Sequence, residues 1–539
     1  MPRPLGHQSW ASIDYNTGSR YPDSMSLLTP RDGAALTLVS FVLYRVARQA
    51  LRKPLPPGPS GYPLLGNAFD MPKGRMWETF KQWGEKCPVV SVTVLGQVIV
   101  VLNDPKVADD LLSKRGQIYS DRPTMHMAEL AGYDRALSNS HYGPRVREWR
   151  KLFARVIGTR EHVARFNEVE EYQAAMFVER VLADPEEWYN SRPSDATLGR
   201  TFAALILHIA YGYKIEEKGV DPMIALADQV MKEFSEIAQP GAYLVDFLPI
   251  LKSLPDWLPG TGFKKTAKAY KKTLDDVGEL PIAHVREELA KGAPNTSFVG
   301  TLIREEPNLT PERLFDITWA AAAFYSGGAE TSVSVIQSYF LAVCKYPEVQ
   351  AKAQAELDAV IGRERLPTPA DRDSLPYIGA ICKELDRWIP VAPLAFPHCT
   401  TADDVYADYL IPKGSMVFPN VWKFLHDPAI YEEPSAFKPE RFLGSNPAPD
   451  PRDMGFFGYG RRQCPGSHLA DASVWMHVAH AVAALDISKA TDAAGNPIEP
   501  SGDTDDGLIL RPLPFACKIR PRSSDALRLI KERIDRGSD

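Results

Sequence analysis

The chain has 539 residues, 44% of them hydrophobic and 24% charged, with a formal net charge of −6. That is ample material for a large core, and the mild acidity gives no footprint for nucleic-acid binding. The six cysteines are dispersed, with no Cys-x-x-Cys pair and no zinc-spaced histidines, which argues against a disulfide framework or a structural metal.

Residues 1–32 read as a polar leader; the first 24 hold no apolar run, so they are no secretory signal, and Met25 is an alternative start. Gly33 to Tyr44 is apolar but covers only about 18 Å as a helix, against about 30 Å of hydrocarbon. Extension to Lys53 lengthens it if Arg45 and Arg48 snorkel. The expectation for 33–53 is a membrane anchor, spanning or lying in the interface. The basic run Arg45, Arg48, Arg52 and Lys53 would hold the rest of the chain on the cytoplasmic side. Residues 54–61 are proline-rich and stiff, a hinge. A catalytic domain is expected over 62–522 and a polar amphipathic tail over 523–539.

Val89 to Leu102 alternates and is β-branched, predicting a hairpin that turns at Gly96-Gln97. Asp104 to Ser113 reads as a short helix. Farther on, Arg147 and Arg150 share a helical face. Arg145, Arg147 and Lys151 form a basic patch suited to an acidic protein partner. Residues 160–290 read as several helices. Ala242 to Leu258 is apolar and broken by prolines, and is expected to roof a pocket and touch the membrane.

Leu314 to Tyr346 is a long apolar helical stretch, with Thr310 as its N-cap and Pro311 near its start. Ser326-Gly327-Gly328-Ala329-Glu330-Thr331-Ser332 interrupts it. Two helical glycines cost about 1 kcal/mol each relative to alanine. A widened groove or close approach of a ligand would account for them. Pro376 to Trp388 predicts a helix with Glu384 and Arg387 on one face, a pairing of little value if exposed. Prolines hold Pro390 to His398 extended, and Gly507 to Leu510 reads as a hairpin tip.

The last motif is Phe456-Phe457-Gly458-Tyr459-Gly460-Arg461-Arg462-Gln463-Cys464-Pro465-Gly466. It is a glycine-broken loop ahead of a helical pattern from His468 to Leu485. A lone cysteine is most often a small buried hydrophobe. Here the helix N-terminus, Arg461 and Arg462 are expected to favour a thiolate at Cys464.

Phe457, Gly460, Arg462, Cys464 and Gly466 fit Phe-x-x-Gly-x-Arg-x-Cys-x-Gly, which resembles the haem-binding loop of the cytochrome P-450 family. The resemblance runs from Pro56 to about Arg522. It implies a mainly α fold with a small β-rich region, the haem lying between the long central helix and the cysteine loop. Cys464 would be the axial iron ligand, Gly466 would leave room for the haem edge, and Phe457 would pack beside the sulfur. Arg462, Arg150, Arg122 and His398 would be haem contacts. Val146 replaces a frequent tryptophan and Cys399 a frequent arginine, which leaves some of those contacts in question.

The segment at Gly327–Thr331 resembles the family's oxygen-side element, in which Thr331 and Glu330 hold water and relay protons. Glu384, Arg387 and Arg441 resemble a buried triad that supports the haem loop. Finer features are similar to fungal secondary-metabolism members, including O-methylsterigmatocystin oxidoreductase-like ones. The implied activity is insertion of one atom of O2 into a small lipophilic substrate. Electrons would come from NADPH through NADPH-cytochrome P-450 reductase, with cytochrome b5 as a second donor and haem b as cofactor. The implied location is the endoplasmic reticulum membrane, catalytic domain facing the cytosol. The alternatives are a haem-thiolate isomerase or dehydratase that needs no O2, and a non-catalytic haem-binding protein.

Overall fold

Apolar side chains at helical spacing recur through most of the chain, and their burial builds the architecture. The computed structural model describes residues 53–186, 188–189, 197–216, 219–239 and 241–537. Two units divide the chain, Met1–Pro54 and Leu55–Asp539, and every described helix and strand belongs to the second. The leader and anchor expected over 1–53 lie, apart from Lys53, outside the described residues. Among the described residues no helix is long and apolar enough to cross a membrane.

The axis is one helix, Pro311–Lys345, 35 residues long. Thr310 caps it, its hydroxyl accepting from the Arg313 N–H at 3.2 Å, which satisfies one of the free donors of the first turn. Thr197–Tyr211, Pro144–Ile157 and Ser467–Ala484 pack against this central helix. Phe324 joins the layers, stacking on Phe153 at 4.9 Å and tilting on Phe298 at 4.7 Å between ring centres. Such aromatic contacts add to the free energy of area burial.

The β-rich part is small, as expected. Strands β1 (Val89–Val94) and β2 (Gln97–Leu102) form the hairpin. Its turn is Leu95-Gly96, one residue earlier than the sequence suggested, and both residues have positive φ, 49° and 88°. That left-handed pair matches the strand twist. Strand β3 (His398–Cys399) pairs with β6 (Met416–Pro419), which lies parallel to β2, giving the order β1-β2-β6-β3. Two separate ladders, β4 (Asp404–Tyr406) with β5 (Tyr409–Ile411) and β7 (Leu485–Lys489) with β8 (Cys517–Pro521), complete the strands.

The polar tail is a helix, Ser524–Gly537, laid on the helix Asn167–Ala183 through Ala526, Leu529 and Ile530. Ala242 to Leu258 forms short turns with Leu244, Leu248, Ile250 and Trp257 exposed and Val245 buried. The segment therefore presents several apolar side chains on the outside of the molecule.

Candidate active site

The cysteine loop is shaped by its backbone. Gly458 and Gly460 sit at φ 80° and 50°. A Cβ on Gly460 would lie 2.7 Å from the Leu112 carbonyl oxygen, so only glycine lets the two segments touch. Gly466 differs: its φ is an ordinary −93°, and a Cβ there would meet only Cys464 Sγ, at 3.9 Å. Space, not backbone shape, distinguishes this glycine. The Cys464 N–H donates to the Phe457 carbonyl at 2.7 Å, while the Phe457 ring packs edge-on against Phe456 at 4.9 Å.

Burial pushes the Cys464 thiol up, against a Gly466 N–H and the charge of Arg150. The sequence expectation of a favoured thiolate is therefore corrected: loss of hydration outweighs both stabilising groups. Arg461 and Arg462 are not the cations that act on the sulfur. Their guanidiniums lie 5.3 and 5.6 Å from the Tyr142 ring centre. The residue is itself exposed although its surroundings desolvate it. Both follow if Sγ faces an internal cleft.

Arg150, Arg462, Arg122 and His398 are brought together. Arg150 donates to the Gln463 carbonyl at 2.6 Å. Arg462 donates to the carbonyls of Ser120, Leu137 and Ser140, and Arg122 to those of Ser138, Phe396 and Pro397. His398 lies on β3 with Nδ1 2.7 Å from the Tyr119 carbonyl. Burial first, then mutual repulsion, lowers Arg122 to about 9 and His398 to about 3. Burial and Arg150 lower Arg462 to about 10, with Asp121 opposing. Asp121 is the carboxylate acting on these arginines, and its Oδ1 already accepts from the Tyr142 N–H at 2.9 Å. Buried cations without matching carboxylates suit an anionic ligand. Val146 is buried and offers no polar atom there.

On the central helix the two glycines serve different ends. Gly328 is pressed against Ile206, whose Cδ1 would lie 2.6 Å from an added Cβ, whereas Gly327 has nothing within 4 Å. Ser326 and Gly327 are exposed midway along a mostly buried helix. Thr331 donates its hydroxyl proton to the Gly327 carbonyl at 2.6 Å. Glu330 points into a cleft of about 260 Å³ lined by Tyr189, Asp228, Gln337, Asp505 and Arg511 among others. Burial raises its pKa, with Arg511 opposing and Asp505 adding to the rise. The Arg511 guanidinium is 3.9 Å from Glu330 Oε2.

The expected triad is assembled. Glu384 and Arg387 are fully buried. Arg387 donates to both Glu384 oxygens, at 2.7 and 2.8 Å, and to the carbonyls of Leu425, Pro434 and Ala436. Arg441 Nε donates to Glu384 at 3.1 Å, and the Lys438 N–H does so at 2.7 Å. Such a network is tolerated because its members are paired.

A cradle free of Cβ atoms beside Cys464, an open glycine face on the central helix and unmatched buried cations together fit an anionic, planar prosthetic group with a soft axial ligand. The family model for cytochrome P450 matches residues 56–519. The chain belongs to the cytochrome P450 family. It is 48% identical over 505 residues to cytochrome P450 monooxygenase 208 of Postia placenta, covering 92% of this chain and 96% of that one. Cytochrome P450 monooxygenase claR of Ampulloclitocybe clavipes is 40% identical, with 89% of each chain covered. The multifunctional cytochrome P450 monooxygenase af510 of Aspergillus fumigatus is 36% identical, covering 92% and 94%. This cytochrome P450 is a haem-thiolate monooxygenase, an oxidoreductase that incorporates oxygen, and its activity requires a redox partner, an organic substrate and O2.

Sequence reasoning passed over four charged residues of this P450. Arg511 and Asp505 reach Glu330 from the C-terminal hairpin, whose Leu510 is buried. Asp386 and Asp471 are buried acids near the cysteine loop. Asp386 carried one local signal, an extra acid inside Glu384–Arg387 that no exposed helix face explains.

Proposed function

We propose that Cys464 supplies the axial thiolate of haem b, and that the chain oxidises a small lipophilic substrate at the endoplasmic reticulum membrane, catalytic domain in the cytosol. Electrons come from NADPH through a reductase, with cytochrome b5 as a second donor. The setting is fungal secondary metabolism or xenobiotic oxidation, a reading supported by the fungal relatives. The single observation that carries the site is the open space over Gly466 and Cys464 beside Arg150, Arg462, Arg122 and His398.

When bound, the haem supplies the oxygen-inserting chemistry, and a cysteine ligand donates electron density to its iron. The residues do the rest. Arg462, Arg122 and Arg150 would hold the propionate edge, with His398 lining the same place through its contact with the Tyr119 carbonyl. Cys464 would hold the iron as its thiolate, the form that burial alone disfavours and that metal ligation favours. Thr331 has its proton committed to Gly327, so its Oγ1 presents lone pairs that hold a water. Glu330, whose pKa burial raises, relays protons from the Arg511 cleft. Glu384, Arg387 and Arg441 hold the segments on which the cysteine loop rests. This proton equipment favours the O2-dependent reading over an isomerase, which needs no relay.

The exposed turns between Leu244 and Trp257 roof the substrate pocket and meet the lipid surface, and the stretch 33–53 anchors the chain. The test is the carbon monoxide difference spectrum of the reduced protein. A strongly red-shifted Soret band in wild type that disappears in Cys464→Ala is the expected result. A histidine-type band in wild type, or no haem in folded protein, overturns the assignment.

A further inference from the structure

One helix, Pro376–Trp388, grips two different loops with two faces. Glu384 and Arg387 hold the segment that ends at Arg441. On the other face, Lys383 reaches Asp450 at 3.0 Å, and Asp386 stands 3.5 Å from Arg452 Nε. Asp450 and Arg452 belong to the loop that runs directly into Phe457 and Cys464. Arg452 is fixed again from the far side. It pairs with Asp471 on the helix that follows Cys464, and its guanidinium carbon lies 5.9 Å from the Phe457 ring centre. Asp471 is 4% exposed and takes a second cation, Arg372, at 2.6 Å.

One guanidinium thus ties together the triad helix, the approach loop and the helix beyond the cysteine. Asp386 depends on it for its cation, Asp471 shares it with Arg372, and a buried acid stripped of its cation is strongly destabilising. We propose that Arg452, clamped between Asp386 and Asp471, is a positioning residue for the axial sulfur, fixing the loop that carries Phe457 and Cys464. The proposal rests on Cys464 being the haem ligand. Arg452 does not act on the sulfur by charge; Arg150 does that. Its effect passes through the backbone between Gly455 and Cys464, where Gly455, Gly458 and Gly460 leave the chain little intrinsic stiffness.

The clamp has a pH dependence. Asp386 faces Arg452, Asp471 and Asp450, and the buried Cys382, with Arg372 beyond it, shares the cluster. Burial and the two neighbouring acids push the Asp386 carboxyl up to about 7, with Arg452 opposing. Above that pH the Asp386–Arg452 ion pair is complete; below it Arg452 keeps only Asp471 and Asp450.

The experiment follows the red-shifted reduced carbon monoxide band of the full-length haem protein from pH 6 to 8, in wild type, Cys464→Ala, Arg452→Met, Arg452→Lys and Asp386→Asn. The thiolate-ligated fraction is expected to rise with pH in wild type and to lose that step in Asp386→Asn. Arg452→Met should retain haem with a several-fold smaller thiolate fraction, and Arg452→Lys should recover most of it. A support role without bearing on the sulfur would move neither the pH step nor the lysine rescue. Wild-type band fractions and pH profiles in both Arg452→Met and Asp386→Asn overturn the clamp. If Arg452→Met fails to fold, an Asp386→Asn profile matching wild type is sufficient to overturn it. A wild type without the band overturns the Cys464 assignment instead, so the two failures are separable.

Discussion

The cysteine side and the Glu330 side of this P450 bury charge in opposite ways. In the Glu384 triad on the cysteine side the charged groups are locked. Arg387 donates to two carboxylate oxygens and three carbonyls, and Glu384 takes two arginines and a backbone N–H. In the cleft at Glu330 the Arg511 guanidinium is 3.9 Å away, and the buried Gln337 Oε1 has no partner among the described residues. The first arrangement has one geometry; the second leaves room for water. An axial ligand must stay at a fixed place, whereas proton delivery needs groups that exchange partners. The contrast is therefore chemical as well as architectural.

The largest effect should come from breaking the locked side. Glu384→Ala leaves Arg387 buried without its carboxylate, and a broken buried pair costs about 3–5 kcal/mol. Urea unfolding should show that loss, with haem content falling in parallel. Arg511→Gln is the contrasting control, since its loss leaves an already adjustable cleft; similar destabilisation in the two variants would erase the distinction.

The locked side was also the more legible in sequence. The cysteine loop announces itself through glycine, arginine and cysteine at fixed local spacing. Glu384 and Arg387 lie on one helical face, and Arg441 follows in a short motif. What the sequence hid was long-range. Nothing local tells Arg452 that Asp386 and Asp471 converge on it, or places β6 parallel to β2. The Gly327-Gly328 pair was flagged, but its division into an open face and a contact with Ile206 depends on a neighbouring helix. The hairpin slipped by one residue because Leu95 adopts a positive φ that leucine seldom takes. The direction in which the Cys464 thiol is pushed was missed because helix ends and arginines are visible in sequence and burial is not.

A second variant sharpens the comparison from inside the cysteine side. Glu170 is 2% exposed and accepts from Ser473 at 2.6 Å, on the helix that follows Cys464. No cation pairs with it among the described residues, and burial raises its carboxyl to about 8. The folded pKa lies above the unfolded value of 4.5. The unfolded chain therefore ionises first as pH rises. Stability is lost progressively from about 4.5 to about 8 and stays lost above, at roughly 1.4 kcal/mol per pH unit across that window. Asp386, raised to about 7, adds a loss of the same sign. Glu170→Gln removes the larger contribution, so its thermal midpoint should fall less than that of wild type between pH 5 and 8. Parallel curves for the two proteins would mean that Glu170 is already ionised in the fold.

The smallest effect on stability should come from the exposed turns between Leu244 and Trp257, where it is most informative. Ile250 and Trp257 are 75% and 79% exposed, so folding gains little from them and their replacement by serine should change unfolding free energy by no more than about 0.5 kcal/mol. Exposed apolar side chains grouped within one short segment are a different matter for a lipid surface, where each buried Å² is worth about 25 cal/mol. Ile250→Ser with Trp257→Ser should therefore leave the urea midpoint unchanged and lower the fraction of full-length protein retained on vesicles after a salt wash. A lowered midpoint would place these side chains in the fold. Unchanged retention with an unchanged midpoint would remove these side chains from the proposed lipid contact. The Glu384–Arg387–Arg441 triad allows no such separation, because its hydrogen bonds are themselves part of the buried fold.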